Sequence, residues 1–121
     1  MRALIVDDSK TMRLIIGRAL RELGLSVCEA AHGQEALALL SRGEPVELIL
    51  ADWNMPVCDG YDFVCAVRAN PLLSGIFIIM VTTETSFQQI QKALDAGANE
   101  YLMKPFTKEA LHEKLVLLGI A

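Results

Sequence analysis

Apolar positions along the chain follow two alternating patterns. Residues 3 to 7, "ALIVD", form an uninterrupted apolar run, the pattern of a strand covered on both faces. Met12, Ile15, Ile16, Ala19, Leu20 and Leu23 then recur at steps of three and four, which predicts a helix with these residues facing the core and Gly24 as its stop. "LSVCEA" (25 to 30) predicts a second strand. Ala36, Leu37 and Leu40 mark a helix ending before Gly43. "VELILAD" (46 to 52) predicts strand three, and Phe63, Val64 and Val67 give helix three a core face that ends before Asn70-Pro71, where the residue ahead of proline disfavours the helical region. "GIFIIMVT" (75 to 82) is strand four. Phe87, Ile90 and Leu94 are the core face of helix four, closed by Gly97, and "EYLM" (100 to 103) is strand five. Thr107 is the expected N-cap of a last helix carrying Leu111, Leu115 and Leu118.

Strands that alternate with helices require crossover connections, so the pattern implies an α/β fold with a five-stranded parallel sheet and helices on both faces. At 121 residues and 53% hydrophobic content, the chain is expected to form one domain over 1–121. A net charge of −4 argues against direct nucleic-acid binding. No apolar run approaches the roughly 18 to 20 residues of a membrane span, and no secretion signal is visible, so a cytoplasmic protein without membrane attachment is expected. Cys28, Cys58 and Cys65 lack the spacing of a zinc site and are odd in number, which makes reduced thiols the expectation, with Cys58 exposed in a loop.

The polar residues that interrupt this pattern fall at strand ends. Asp7 and Asp8 follow strand one, Asp52 ends strand three, Thr82 and Thr83 follow strand four, and Lys104 follows strand five. In open α/β sheets this carboxyl edge is where sites are built. Three carboxylates meeting there repel by roughly 4 kcal/mol per pair at ~4 Å and an effective dielectric near 20, so a cation or protons must offset them. Oxygen donors with no His or Cys nearby favour Mg2+, with Mn2+ as the alternative. Three carboxylates, one divalent ion and Lys104 sum to zero charge. A nucleophilic Asp52 opposite a metal, a lysine and a hydroxyl suits phosphoryl transfer, a chemistry of positioning and charge neutralisation. Neither glycine-rich nucleotide fingerprint, GxxxxGK[ST] or GxGxxG, is present.

"LIVDDS", "LILADWNMPVCDG", "MVTTE" and "YLMKPF", in that order, resemble the motifs of response-regulator receiver domains, nearest to the chemotaxis members of that family. The resemblance covers essentially the whole chain. It implies the flavodoxin-like (βα)5 fold with strand order 2-1-3-4-5, and a signalling domain of two-component systems rather than an enzyme. It implies that Asp52 accepts a phosphoryl group from a histidine kinase, and that Asp8, the Asp52 side chain and the Asn54 carbonyl hold magnesium, with Asp7 acting through water. Lys104 would pair with phosphoryl oxygens. Thr82 and Tyr101 would act as the switch that alters the face of helix four, strand five and helix five, which in chemotaxis would meet a flagellar motor switch protein. Asn54 and Glu84 match positions that tune self-dephosphorylation, and the bond before Pro105 is cis in the family. Thr83 departs from the small residue usual at its position.

Blander readings exist for each residue. Asp7-Asp8 alone can serve as a helix N-terminal cap, Lys104-Pro105 as a turn, Thr82 as a cap and Tyr101 as a static core aromatic. Trp53 is expected to be partly exposed, and His32 and His112 to be surface residues apart from every motif. Two competing functions are an aspartyl-phosphate phosphatase of the haloacid-dehalogenase kind, whose DxD motif would need an acid where Asn54 stands, and a phosphorylation-independent interaction module.

Overall fold

The computed structural model describes residues 1–54, 59–83 and 87–121. Five strands, β1 (Arg2–Val6), β2 (Ser26–Ala30), β3 (Leu48–Asp52), β4 (Phe77–Thr82) and β5 (Glu100–Met103), alternate with five helices. These are α1 (Lys10–Glu22), α2 (Gly33–Ser41), α3 (Gly60–Ala69), α4 (Phe87–Ala96) and α5 (Lys108–Leu117). All four strand pairings are parallel, in the order β2-β1-β3-β4-β5. This is the flavodoxin-like order.

Strand geometry explains the continuous apolar runs, because successive side chains point to opposite sides of the sheet and both sides are covered. Ala3, Ile5, Leu48, Leu50, Ile79 and Val81 pack with Ile16 and Leu20 of α1 and Leu111 and Leu115 of α5. Their neighbours Leu4, Val6, Ile49, Ala51, Ile78 and Met80 pack the opposite way, against residues of α2, α3 and α4. Register places Val6 beside Ala51 and Asp52 beside Val81, so the exits of β1, β3 and β4 lie next to one another.

Caps set where the helices start. The hydroxyls of Ser9 and Thr107 accept from the N–H groups of Met12 and Ala110, at 3.2 and 3.1 Å, opening α1 and α5. Thr107 is the cap expected from the sequence. Asp59 caps α3 through the Asp62 N–H at 2.8 Å. His32, expected at the surface apart from the motifs, also caps a helix there: its Nδ1 accepts from the Glu35 N–H at 3.2 Å at the start of α2. A short 3-10 turn at Pro71–Leu73, which periodicity did not announce, joins α3 to β4.

Two helical faces depart from the expectation. Phe87 and Ile15, both assigned to core faces, are 75% and 52% exposed. Ala93 alone is buried in α4, with Ile90 and Leu94 half-buried. Phe87 is the first residue of α4, about two turns ahead of the buried Ala93, whereas Ile15 lies on the flank of α1 beside the buried Ile16. The C-terminal end of α4 is held from α3 instead: Arg68 donates from Nε to the Gly97 carbonyl at 2.9 Å and from Nη2 to Asn99 Oδ1 at 2.8 Å. The same Asn99 oxygen accepts the Ile78 N–H at 2.8 Å, tying this clamp to β4.

Candidate functional site

The carboxyl edge of the sheet gathers the expected residues. Asp52 is the last residue of β3 and Thr82 the last of β4, and both are buried. Asp7 follows β1 and is 1% exposed, while Asp8 beside it is exposed. One carboxylate oxygen from each of Asp7, Asp8 and Asp52 lies within 4.8 Å of the others. Lys104, just beyond β5, reaches across β3 and β4 into this cluster: its Nζ is 3.2 Å from Asp7 Oδ2 and 3.6 Å from Asp52 Oδ1. The first distance is a charge-assisted hydrogen bond, and the second an ion pair without one.

Neighbouring backbone groups fix the acids. Asp7 donates its N–H to the Ala30 carbonyl at 3.1 Å and accepts the Ser9 N–H on Oδ1 at 2.8 Å. Thus Ser9 caps α1 while Asp7, two residues earlier, turns its other oxygen toward Lys104. Asp52 Oδ1 accepts the Asn54 N–H at 3.2 Å. Burial pushes the Asp52 carboxyl above the usual range; the Asn54 N–H and Lys104 pull it back, and Asp7 and Asp8 add to the rise. Lys104 is itself positioned by its N–H, which donates to the Thr82 carbonyl at 2.7 Å, and its bond to Pro105 is cis.

Behind the acids, a cavity of about 10 Å3 is lined by Thr82 and Tyr101 together with Trp53, Met80, Ile90 and Ala93. The half-buried Tyr101 ring carries the Lys114 ammonium 4.4 Å from its centre, and that ammonium also pairs with Glu100 at 3.1 Å. Trp53 is half-buried and meets Tyr61 edge-on at 6.3 Å. Gly60 lies so close to Trp53 that an added Cβ would stand 2.7 Å from the Trp53 Cα. Trp53, directly after Asp52, is thereby pressed against the start of α3. Thr83 is exposed and borders a separate hollow of about 300 Å3 with Met12, Ile15, Lys104, Pro105 and Phe106.

Glu84 and Cys58 lie outside the described residues, so the structure does not test their readings. Cys28 and Cys65 are free thiols. Among the described residues, no helix is long and apolar enough to cross a membrane. Sequence reasoning missed Ser9, although Ser-Lys-Thr-Met after a strand is an N-cap signal, and it missed Arg13, whose guanidinium bonds the Asp7 carbonyl at 2.6 Å.

A family profile described as "Response regulator receiver domain" matches residues 3–116. The chain belongs to that family. This receiver is 48% identical over 116 residues to a protein named "Chemotaxis protein CheY homolog" from Campylobacter jejuni, covering 95% of this chain and 89% of that one. It is 47% identical to "Chemotaxis protein CheY1" of Helicobacter pylori, over 98% of both chains. Among solved structures, the chemotaxis response regulator CheY4 of Vibrio cholerae matches with a TM-score of 0.89 at 38% identity, covering 97% of each chain. The receiver is therefore a signalling domain of the CheY type, with an acidic cluster of the kind that can bind a metal.

Proposed function

We propose that residues 1–121 act as one phosphorylation switch in which Asp52 is the acceptor. The observation that carries this reading is the Lys104 ammonium lying against both Asp7 and Asp52 in a three-carboxylate cluster. The cluster consists of hard oxygen donors with no His or Cys among them, and its outermost member, Asp8, faces water; this donor set fits Mg2+. Asp8, Asp52 and the Asn54 carbonyl would hold the ion, with Asp7 acting through water. Bound there, magnesium supplies the positive charge that Lys104 alone lacks.

The donor is a histidine kinase bearing phosphohistidine, or a small acyl phosphate. A carboxylate oxygen of Asp52 attacks phosphorus, the bond from phosphorus to the donor nitrogen breaks, and the imidazole leaves with its electron pair and takes up a proton. Lys104 then turns from the free carboxylates to the phosphoryl oxygens. Reversal comes when water attacks phosphorus, releasing phosphate and restoring the carboxylate, and Asn54 and Glu84 match the positions that tune this step in the family.

The readout runs through the shared cavity. Thr82 turns its hydroxyl to the new phosphoryl group, Tyr101 repacks, and the surface of α4, β5 and α5 changes its affinity for a downstream protein. Relatives named as chemotaxis proteins support a chemotaxis role, in which that target is a flagellar motor switch protein.

Intact-mass measurement after incubation with acetyl phosphate and Mg2+ tests the assignment. The wild type should gain one phosphoryl group, Asp52→Asn should gain none, and chelation should suppress the gain. Efficient labelling of Asp52→Asn would refute it.

A further inference from the structure

Asp7 is held on every side by four partners, and two of them, Lys104 and Arg13, are cationic. Its N–H, its two carboxylate oxygens and its carbonyl are met by Ala30, Ser9, Lys104 and Arg13 respectively. Arg13 lies one turn into α1 with its side chain 16% exposed, and its guanidinium makes two directed bonds. Nη1 donates to the Asp7 carbonyl at 2.6 Å, and Nε donates to Glu29 Oε1 on β2 at 3.0 Å. A single rigid fork therefore joins α1, the exit of β1 and the neighbouring strand.

The carbonyl of Asp7 and the N–H of Asp8 belong to one planar peptide unit. Fixing that oxygen fixes the plane, and with it the direction in which Asp8 leaves the backbone. Asp8 needs such help: it is exposed, so packing does not hold it, and two like charges within 4.8 Å push it away.

We infer that Arg13, anchored by Glu29, is a positioning residue that holds the Asp7-Asp8 peptide so that Asp8 stays in the carboxylate cluster. The inference rests on the magnesium reading above and adds a residue to it. Electrostatics alone makes the opposite forecast, since a guanidinium beside the cluster repels a divalent cation and its removal would tighten binding. A loss of affinity on removing Arg13 can come only from geometry.

Mg2+ titration followed by Trp53 emission separates these cases. Arg13→Ala should weaken binding about ten-fold or more, the range for outer partners of metal ligands. Arg13→Lys should also weaken it, because one ammonium keeps the charge but cannot span both acceptors in the fork geometry. Glu29→Gln, which leaves an acceptor for Nε, should stay within about three-fold of wild type, less than the outer-partner range. Unchanged or tighter binding in Arg13→Ala overturns the inference; if that variant does not fold, the same result in Arg13→Lys does so.

Amide hydrogen exchange in chelator gives a metal-free readout. Residues 8 and 9 should exchange at least ten-fold faster in the Arg13 variants while the β3 amides keep their protection, and equal protection at residues 8 and 9 overturns the inference. A wild type that fails to respond to Mg2+ counts against the magnesium reading, and the exchange comparison then decides the role of Arg13 alone.

Discussion

Replacing Asp52 by Asn should make the protein more stable in the absence of divalent ions. Asn keeps the shape and an oxygen for the Asn54 N–H but removes one charge from the cluster. At an effective dielectric near 20, two unit charges 4.8 Å apart repel by about 3.5 kcal/mol, and Lys104 at 3.6 Å returns about 4.6 kcal/mol of attraction. Asp52 faces two carboxylates at or inside that separation and one ammonium, so repulsion exceeds attraction by roughly 2 kcal/mol. Solvent screening of the exposed Asp8 lowers this excess and desolvation of Asp52 raises it, leaving an expected gain of about 1–2 kcal/mol. For a chain of this length that is roughly 3–10 °C in Tm.

The pH dependence has a definite sign. Burial raises the Asp52 pKa, so the folded state holds that proton more tightly than the unfolded state does. The penalty is fully present above the folded pKa and disappears as pH falls below the unfolded value. The advantage of the variant in chelator should therefore be largest at neutral pH and shrink on acidification through the carboxylate range. Saturating Mg2+ should also shrink or reverse it, because the wild type alone keeps all three carboxylates. Urea unfolding of both proteins at several pH values, with and without Mg2+, measures this. A variant equally or less stable at pH 7 in chelator, or one whose advantage grows on acidification, would refute the reasoning.

Three other substitutions probe the scaffold. Gly60→Ala should cost about 1–3 kcal/mol in urea unfolding and shift Trp53 emission, since the new Cβ would meet Trp53 backbone and Met80 Cε at 2.7 Å; a cost below about 0.5 kcal/mol would show that the loop yields. Arg68→Ala should cost about 2–3 kcal/mol by the same measurement, because it strips partners from the Gly97 carbonyl and Asn99 in a partly buried setting; near-neutrality would mean that water replaces the guanidinium. Phe87→Ser should change stability by less than about 0.5 kcal/mol, as expected for an exposed position; a loss of several times that would restore the core-facing reading.

The strands were legible because a sheet covered on both faces demands unbroken apolar runs, and few other arrangements do. Their boundaries were read too generously: Val46, Gly75 and Ile76 precede β3 and β4 rather than opening them. Helical periodicity worked where the whole predicted face is buried, as with Phe63, Val64 and Val67 of α3, and failed at Phe87 and Ile15, which stay exposed at a helix end and on a helix flank. The acids and Lys104 could be placed at one rim because a parallel sheet sends every strand's carboxyl end the same way. Contacts made by particular atoms had no periodic signal, so the Arg13 fork, the Arg68 clamp and the His32 cap became visible only in three dimensions.

Lys104 and Asp7 meet across 97 positions of chain. The balancing amine directly follows β5, the edge strand of the sheet, far along the chain from the acids it must quiet. A nascent chain that stops short of β5 carries Asp7, Asp8 and Asp52 without the ammonium that bridges two of them. The edge strand thus carries the charge balance of a cluster built two and three strands away.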